Sequence, residues 1–152
     1  MPQQKSATLT AIFSEILANL AFMFTDEDET LPDEGMEWWE TSIRYKGPVS
    51  GALTFKCPRP FTNELAANLL GVDPDQEVEE EQAQDAVKEF MNIICGQVVT
   101  TFHGTEHVFD LTIPEVSVMA SPPQEVFEEN PRICSLSVAG HRIQLTWTLG
   151  EA

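Results

Sequence analysis

The order of elements along this chain predicts an α+β domain, an antiparallel sheet covered by helices. Three observations carry that prediction. An amphipathic helix comes first, two alternating apolar runs flank a Lys46-Gly47-Pro48 turn, and the longest helix precedes a series of strand-like segments. At 152 residues, 42% hydrophobic and 22% charged, the chain fits one domain, 1–152, with a core that needs neither disulfide nor metal.

The first helix is expected over about 8–24. Leu9, Ile12, Phe13, Ile16, Leu17, Leu20 and Phe24 recur at three- and four-residue steps, and Ser6 or Thr8 supplies a capping oxygen. A solvated acidic loop follows over 25–36. Trp39, Thr41, Ile43 and Tyr45 then alternate on one strand face, and Val49, Gly51, Leu53 and Phe55 on the next. In the Trp38-Trp39 pair, alternation buries one ring and leaves the other partly open.

A short helix is expected over about 62–70, closed by Gly71. The acidic run 73–81 leads into the longest helix, about 79–102, with Gly104 as its stop. Strands are expected over 107–113, 115–120, 133–139 and 141–149, with Pro122-Pro123 in a loop and Ala139-Gly140 at the tightest turn. Leu53-Thr54-Phe55 in the first half resembles Leu145-Thr146-Trp147 in the second, which points to pseudo-symmetry.

Eight Lys and Arg against twenty-five Asp and Glu give a net charge of −17. That balance speaks against nucleic acid and anionic membrane surfaces as partners, since both are bound through basic patches. Cys57, Cys95 and Cys134 are an odd count with no close pair, which suits reduced, buried thiols. The opening MPQQKSATLT lacks an apolar signal core, and the apolar stretch 16–24 is far shorter than a membrane span. A cytoplasmic protein is expected.

The most informative stretch is DAVKEFMNIICGQVVTTF, 85–102. At about 100° per residue, Asp85, Asn92 and Gly96 fall within about 60° of Glu89, and Val87, Phe90, Ile94 and Val98 centre on the far side. One face is core; the other shows a carboxylate and a carboxamide one turn apart. Glycine within a helix costs about 1 kcal/mol relative to alanine, so Gly96 on that face implies that another surface comes close. An ordinary solvated face accounts for the same spacing.

The stretch resembles the CheC/CheX/FliY phosphatases, which dephosphorylate the response regulator CheY in bacterial chemotaxis. Their motif is Asp or Ser, three residues, Glu, two residues, Asn, twenty-one residues and Pro. Asp85, Glu89, Asn92 and Pro114 meet every spacing. One motif in a chain this short is most similar to single-site CheX. Glu15 and Asn19 in the first helix are four apart instead of three, so no second site is read there.

The resemblance implies a pseudo-symmetric CheX-like domain, a homodimer, and a phosphorylated CheY-like receiver domain as partner. Glu89 would pair with the receiver's active-site lysine, and Asn92 would hold a water in line with the aspartyl-phosphate. Asp85 and Pro114 would be structural, Pro114 fixing a strand-to-strand bend beside the site. No cofactor is implied for this chain, because the receiver supplies Mg²⁺. The alternative is a docking module that binds a signalling or flagellar-switch partner without catalysis.

Two other patterns compete. His103-Gly104-Thr105-Glu106-His107 matches the H-x-x-E-H arrangement of zinc peptidases, but glycine falls inside it at the expected helix end, and no third ligand stands out. A polar helix-to-strand turn is the reading adopted. Cys95 has no histidine near it in sequence, which argues against a nucleophile.

Overall fold

The computed structural model describes residues 8–26, 35–71, 73, 78–119 and 132–150. The Ser6 cap, most of the acidic loop 25–36, residues 74–77 of the second acidic run and the Pro122-Pro123 loop lie outside the described residues. The elements in order are α1 (Leu9–Ala21), β1 (Trp38–Lys46), β2 (Ser50–Pro58), α2 (Arg59–Leu70), α3 (Glu80–His103), β3 (Asp110–Leu111), β4 (Glu115–Met119), β5 (Ile133–Val138) and β6 (His141–Leu149). The strands form one antiparallel sheet ordered β3-β1-β2-β6-β5, with β4 also paired to β1.

Alternation sorts the sheet into two faces. Thr41, Ile43 and Tyr45 of β1, Leu53, Phe55 and Cys57 of β2, and Ile143, Leu145 and Trp147 of β6 are buried. The residues between them are mostly polar: Ser42, Thr54, Lys56 and Thr146 are half-buried, Arg44 is exposed and Gln144 is buried. A sheet of this kind is packed on one face and wetted on the other. The buried face meets Phe13 and Leu17 of α1, Phe61 and Leu65 of α2, and Phe90, Ile94 and Val98 of α3 in one core. Phe55 is central, edge-on to Phe13, Phe61 and Phe90 at centroid distances of 5.7, 6.1 and 5.5 Å.

The resemblance between 53–55 and 145–147 has a spatial meaning. Leu53 pairs with Trp147, Thr54 with Thr146 and Phe55 with Leu145, so the two triplets lie side by side and antiparallel around Thr54 and Thr146. The hairpins β1-β2 and β5-β6 flank that point. The helices follow the same exchange: α1, which precedes the first hairpin, packs on β5, and α3 packs on β1. Each half of the chain covers the other half's hairpin, and the fold is pseudo-symmetric.

Several boundaries differ from expectation, each for a local reason. Thr8 does cap α1, its Oγ1 accepting from the Ala11 amide at 3.0 Å. The helix ends at Ala21, where Phe22 turns left-handed (φ 57°) and the Met23 amide donates to the Leu17 carbonyl at 2.9 Å. Phe24 therefore leaves the apolar stripe and is exposed. The short helix starts at Arg59 instead of 62, because Pro60 in its first turn forfeits an amide that has no intrahelical partner anyway.

The strand expected over 107–113 reduces to Asp110–Leu111. Between the pairs Ser42–Glu115 and Tyr45–Leu111, β1 contributes Ile43 and Arg44, and the edge contributes Thr112, Ile113 and Pro114. That extra residue is a bulge, and Pro114, which has no amide to give the ladder, sits within it. Thr112 bridges the break: its amide donates to the Arg44 carbonyl at 2.9 Å, and its Oγ1 accepts from the Arg44 amide at 3.0 Å.

The Trp38-Trp39 expectation is also corrected, since both rings are 1% exposed. They do lie on opposite faces. Trp39 packs with Ala66, Val78, Ala83 and Ala86, and the Arg59 guanidinium lies 4.7 Å from its ring centroid. Trp38 is flanked by Pro58 on one side and Met119 on the other. Alternation sets the face of a side chain, whereas exposure depends on what covers that face.

Candidate functional site on helix α3

Helix α3 is 24 residues long, about 36 Å at 1.5 Å per residue. A capping box starts it: the Glu79 side chain takes the amide of Gln82, and the Glu79 amide donates to Gln82 Oε1 at 3.2 Å. Gly104 ends it, with φ 84° and its amide bonded to the Thr100 carbonyl at 3.1 Å. Glu80 and Glu81 in the first turn and His103 in the last suit the helix dipole.

The inward face sets the rotation of the helix. Ala86, Val87, Phe90, Met91, Ile94, Cys95 and Val98 are all fully buried. A turn about the axis would bring several of these into water at roughly 1.5–3 kcal/mol for each large side chain. Asp85, Glu89 and Asn92 are thereby held exposed on the outward face. Residues three apart on a helix have Cβ atoms roughly 5–6 Å apart, so the Glu89 carboxylate and the Asn92 amide are neighbours on that face.

No described residue hydrogen-bonds or ion-pairs with Asp85, Glu89 or Asn92. The only Lys or Arg of the helix is Lys88, against Glu80, Glu81, Asp85 and Glu89. The face is electronegative, and its polar groups are free to take an external cation, a water or a hydroxyl. Gly96 lies one turn beyond Asn92, and a β-carbon built there meets nothing within 4 Å. Packing among the described residues gives no reason for this glycine.

Pro114 is buried in the β3–β4 bulge, in the sheet layer rather than on the helix. The structure thus groups Asp85, Glu89, Asn92 and Gly96 on one helix face, while Pro114 belongs to the sheet edge, between β3 and β4. On the α1 side, Ile93 and Gln97 join Ile12, Ile16 and Leu20 in an open groove of about 340 Å³ that Glu15 and Asn19 also line. Nothing in residue spacing along either helix alone signalled this groove, since it exists only where two helices meet.

The competing patterns dissolve in three dimensions. His103 closes α3 and His107 lies beyond the Gly104 cap. His103 Nε2 is already 2.9 Å from Tyr45 Oη, a hydrogen bond whose direction follows the imidazole tautomer, and its ring stacks on Phe109 at 5.7 Å. Among the described residues, no three His, Cys, Asp or Glu side chains converge as metal ligands. Tyr45 Oη also accepts from Trp147 Nε1 at 2.9 Å, completing a polar cluster that pattern reading did not foresee.

Cys57, Cys95 and Cys134 are free and buried. Burial pushes the Cys95 thiol up to about 12 and raises the other two as well, so none is an activated nucleophile. No described helix is long and apolar enough to cross a membrane.

Comparison with known proteins places this geometry. The family model described as chemotaxis phosphatase CheX matches residues 41–135, which include β1 from Thr41 onward, β2, α2, the whole of α3 and the bulge. Solved structures share the fold at low identity. The chemotaxis protein CheX of Desulfovibrio desulfuricans is 14% identical, over 93% of this chain and 95% of that chain, with a TM-score of 0.68. A CheC-like superfamily protein from Shewanella sp. PV-4 is 18% identical over 95% and 96%, with a TM-score of 0.65.

The CheX–CheY–BeF3–Mg²⁺ complex from Borrelia burgdorferi supplies a further match, 18% identical over 94% and 96%, with a TM-score of 0.58. The sequence matches no curated protein. With the family model spanning well over half of the residues and the α+β fold agreeing along nearly the whole length, the chain belongs to the CheX family of chemotaxis phosphatases.

Proposed function

We propose that this chain, as a single domain over 1–152, hydrolyses the aspartyl-phosphate of a CheY-like receiver. The observation that carries the reading is the unengaged Glu89–Asn92 pair, held outward by the buried side of α3. Family membership supports it, as does the fold shared with a CheX in complex with CheY, BeF3 and Mg²⁺.

The chemistry asks little of this chain. An acyl phosphate is already activated, and the receiver's Mg²⁺ and lysine balance charge on the phosphoryl oxygens. What remains is to place a water in line with the phosphorus. The Asn92 amide does so with one donor and one acceptor, fixing an attack geometry that bulk water samples rarely. Glu89, which has no cation partner among the described residues, takes the receiver's lysine and anchors the helix across the site. Asp85 adds negative potential, and Gly96 leaves room for the approach.

The protein works as a cytoplasmic homodimer joined through sheet edges. The β4 edge is the better candidate: Val118 and Ile113 are 60% and 81% exposed there, whereas the end of β5 is taken by a bridge between Thr25 and Val138.

The test is phosphate release from a Mg²⁺-loaded CheY-like receiver charged with acetyl phosphate. Native protein is expected to accelerate release, and Asn92→Ala to lose about a hundredfold. Binding without acceleration by either protein would identify a docking module instead.

A further inference from the structure

The groove between α1 and α3 is unused by the chemistry above. We propose that it is a second contact for the same receiver, taking one of its apolar side chains beside a lysine or arginine. The inference rests on the phosphatase reading and adds where and how the partner docks.

Geometry makes the groove hard for such a partner to miss. Ile93 follows Asn92 in the chain, and Gln97 follows Gly96, so the groove's α3 wall lies within about 8 Å of Asn92 along the helix axis. A specific protein interface covers about 800 Å² on each partner, a patch roughly 16 Å in radius. A receiver centred on the Glu89–Asn92 pair therefore covers the groove.

The lining fits this occupant. Ile16, Leu20 and Ile93 are half-buried apolar side chains, and the volume, about 340 Å³, accommodates an inserted side chain. Glu15, Asn19 and Gln97 are exposed at the groove. They bring one carboxylate and two amides, with no cation among the described lining residues, so a basic neighbour on the entering segment is favoured. The wheel positions of α3 separate the two tasks: Ile93 and Gln97 lie toward α1, and Asn92 lies on the other flank of Glu89. A residue can thus add affinity in the groove without touching the water.

The groove also gives the first helix a role. By the pseudo-symmetry of the fold, α1 stands to β5 as α3 stands to β1. Its Glu15 and Asn19 lack the three-residue spacing of Glu89 and Asn92. In this reading they are docking groups for the α3 site rather than a second catalytic pair.

The experiment measures kcat and KM for phosphate release, and Kd for a CheY-like receiver saturated with Mg²⁺ and beryllofluoride. Native protein is compared with Ile93→Glu, which puts a charge in the groove, and Asn19→Trp, which fills it from an exposed position. Thermal denaturation confirms that each variant folds. Both are expected to raise KM and Kd about tenfold, with kcat at saturating receiver unchanged. Unaltered KM and Kd in an active native background would overturn the groove while leaving the phosphatase reading intact.

A lower kcat at unchanged KM would also overturn it, by showing that these residues merely set α3. Dissociation of a homodimer by Ile93→Glu would reassign the groove to a second copy of the chain. Native protein that neither binds nor dephosphorylates receivers would remove both readings together.

Discussion

Tyr45 crosses the backbone of Gly51, its partner in the β1–β2 register, so closely that a β-carbon on Gly51 would stand 2.3 Å from the tyrosine hydroxyl. The ring cannot step aside cheaply, because that hydroxyl is bonded to both His103 and Trp147. Gly51→Ala is expected to destabilise the protein by about 1–3 kcal/mol through overpacking. A urea denaturation series, reading the midpoint at constant slope, checks it; a change within about 0.5 kcal/mol would mean the cluster is loose.

Gly96 predicts the opposite sign. A methyl group there meets nothing within 4 Å, and alanine is the better helix former by about 1 kcal/mol. Gly96→Ala should therefore raise the denaturation midpoint, and Gly96→Gln should slow dephosphorylation of a receiver by obstructing its approach. Gly96→Gln with native activity would show that no surface comes close to this turn.

Thr41 is a fully buried strand residue whose Oγ1 has no hydrogen-bond partner among the described residues. A buried, unsatisfied hydroxyl costs about 1–3 kcal/mol, and valine is nearly the same shape without the hydroxyl. Thr41→Val is expected to stabilise the fold by about 1 kcal/mol in the same denaturation assay. Destabilisation would reveal a partner for the hydroxyl.

Asn92→Asp separates the water-holding role from shape. The two side chains are isosteric, but a carboxylate repels the phosphoryl group and cannot donate to its oxygens. Phosphate release is expected to fall as far as in Asn92→Ala, roughly a hundredfold, while the variant folds normally. Near-native turnover by the aspartate form would mean that the amide is not placing the water.

Alkaline pH should weaken the fold through groups that stay protonated inside it. Burial raises the Cys95 thiol from 9.0 to about 12, and raises Cys134, Cys57 and the Tyr45 hydroxyl as well. Above the ordinary thiol range the unfolded chain has lost these protons and the native chain has kept them. The unfolded state then binds fewer protons, so stability falls with rising pH. This contribution is fully present below about pH 8 and declines above about pH 9. Denaturation midpoints from pH 7 to 10 check it, together with slow labelling of all three thiols by a thiol reagent until the protein unfolds.

Much of this was visible in the residues. Period-3.6 and period-2 patterning determined the fold class, the helices and the core strands, because burial of one face selects those periods whatever the partner. The rotational setting of α3 was legible too: Phe90, Ile94 and Val98 on one side require Glu89 and Asn92 on the other. So were the Gly71 and Gly104 helix ends, which rest on local backbone chemistry. The left-handed Phe22 gave no such signal, since non-glycine residues seldom adopt that conformation.

Tertiary structure alone decided what depends on neighbours distant in sequence. The bulge at Pro114 appears only when β3 and β4 are laid against β1, and the Tyr45–His103–Trp147 cluster only when α3, β1 and β6 are brought together. Burial of both Trp38 and Trp39 depends on elements flanking β1 on each side. The short repeat at 53–55 and 145–147 became a pseudo-symmetry axis once the triplets were paired across the sheet. The α1–α3 groove is the clearest case. Each helix face was readable separately, but the space between them is set by how two helices pack on one sheet.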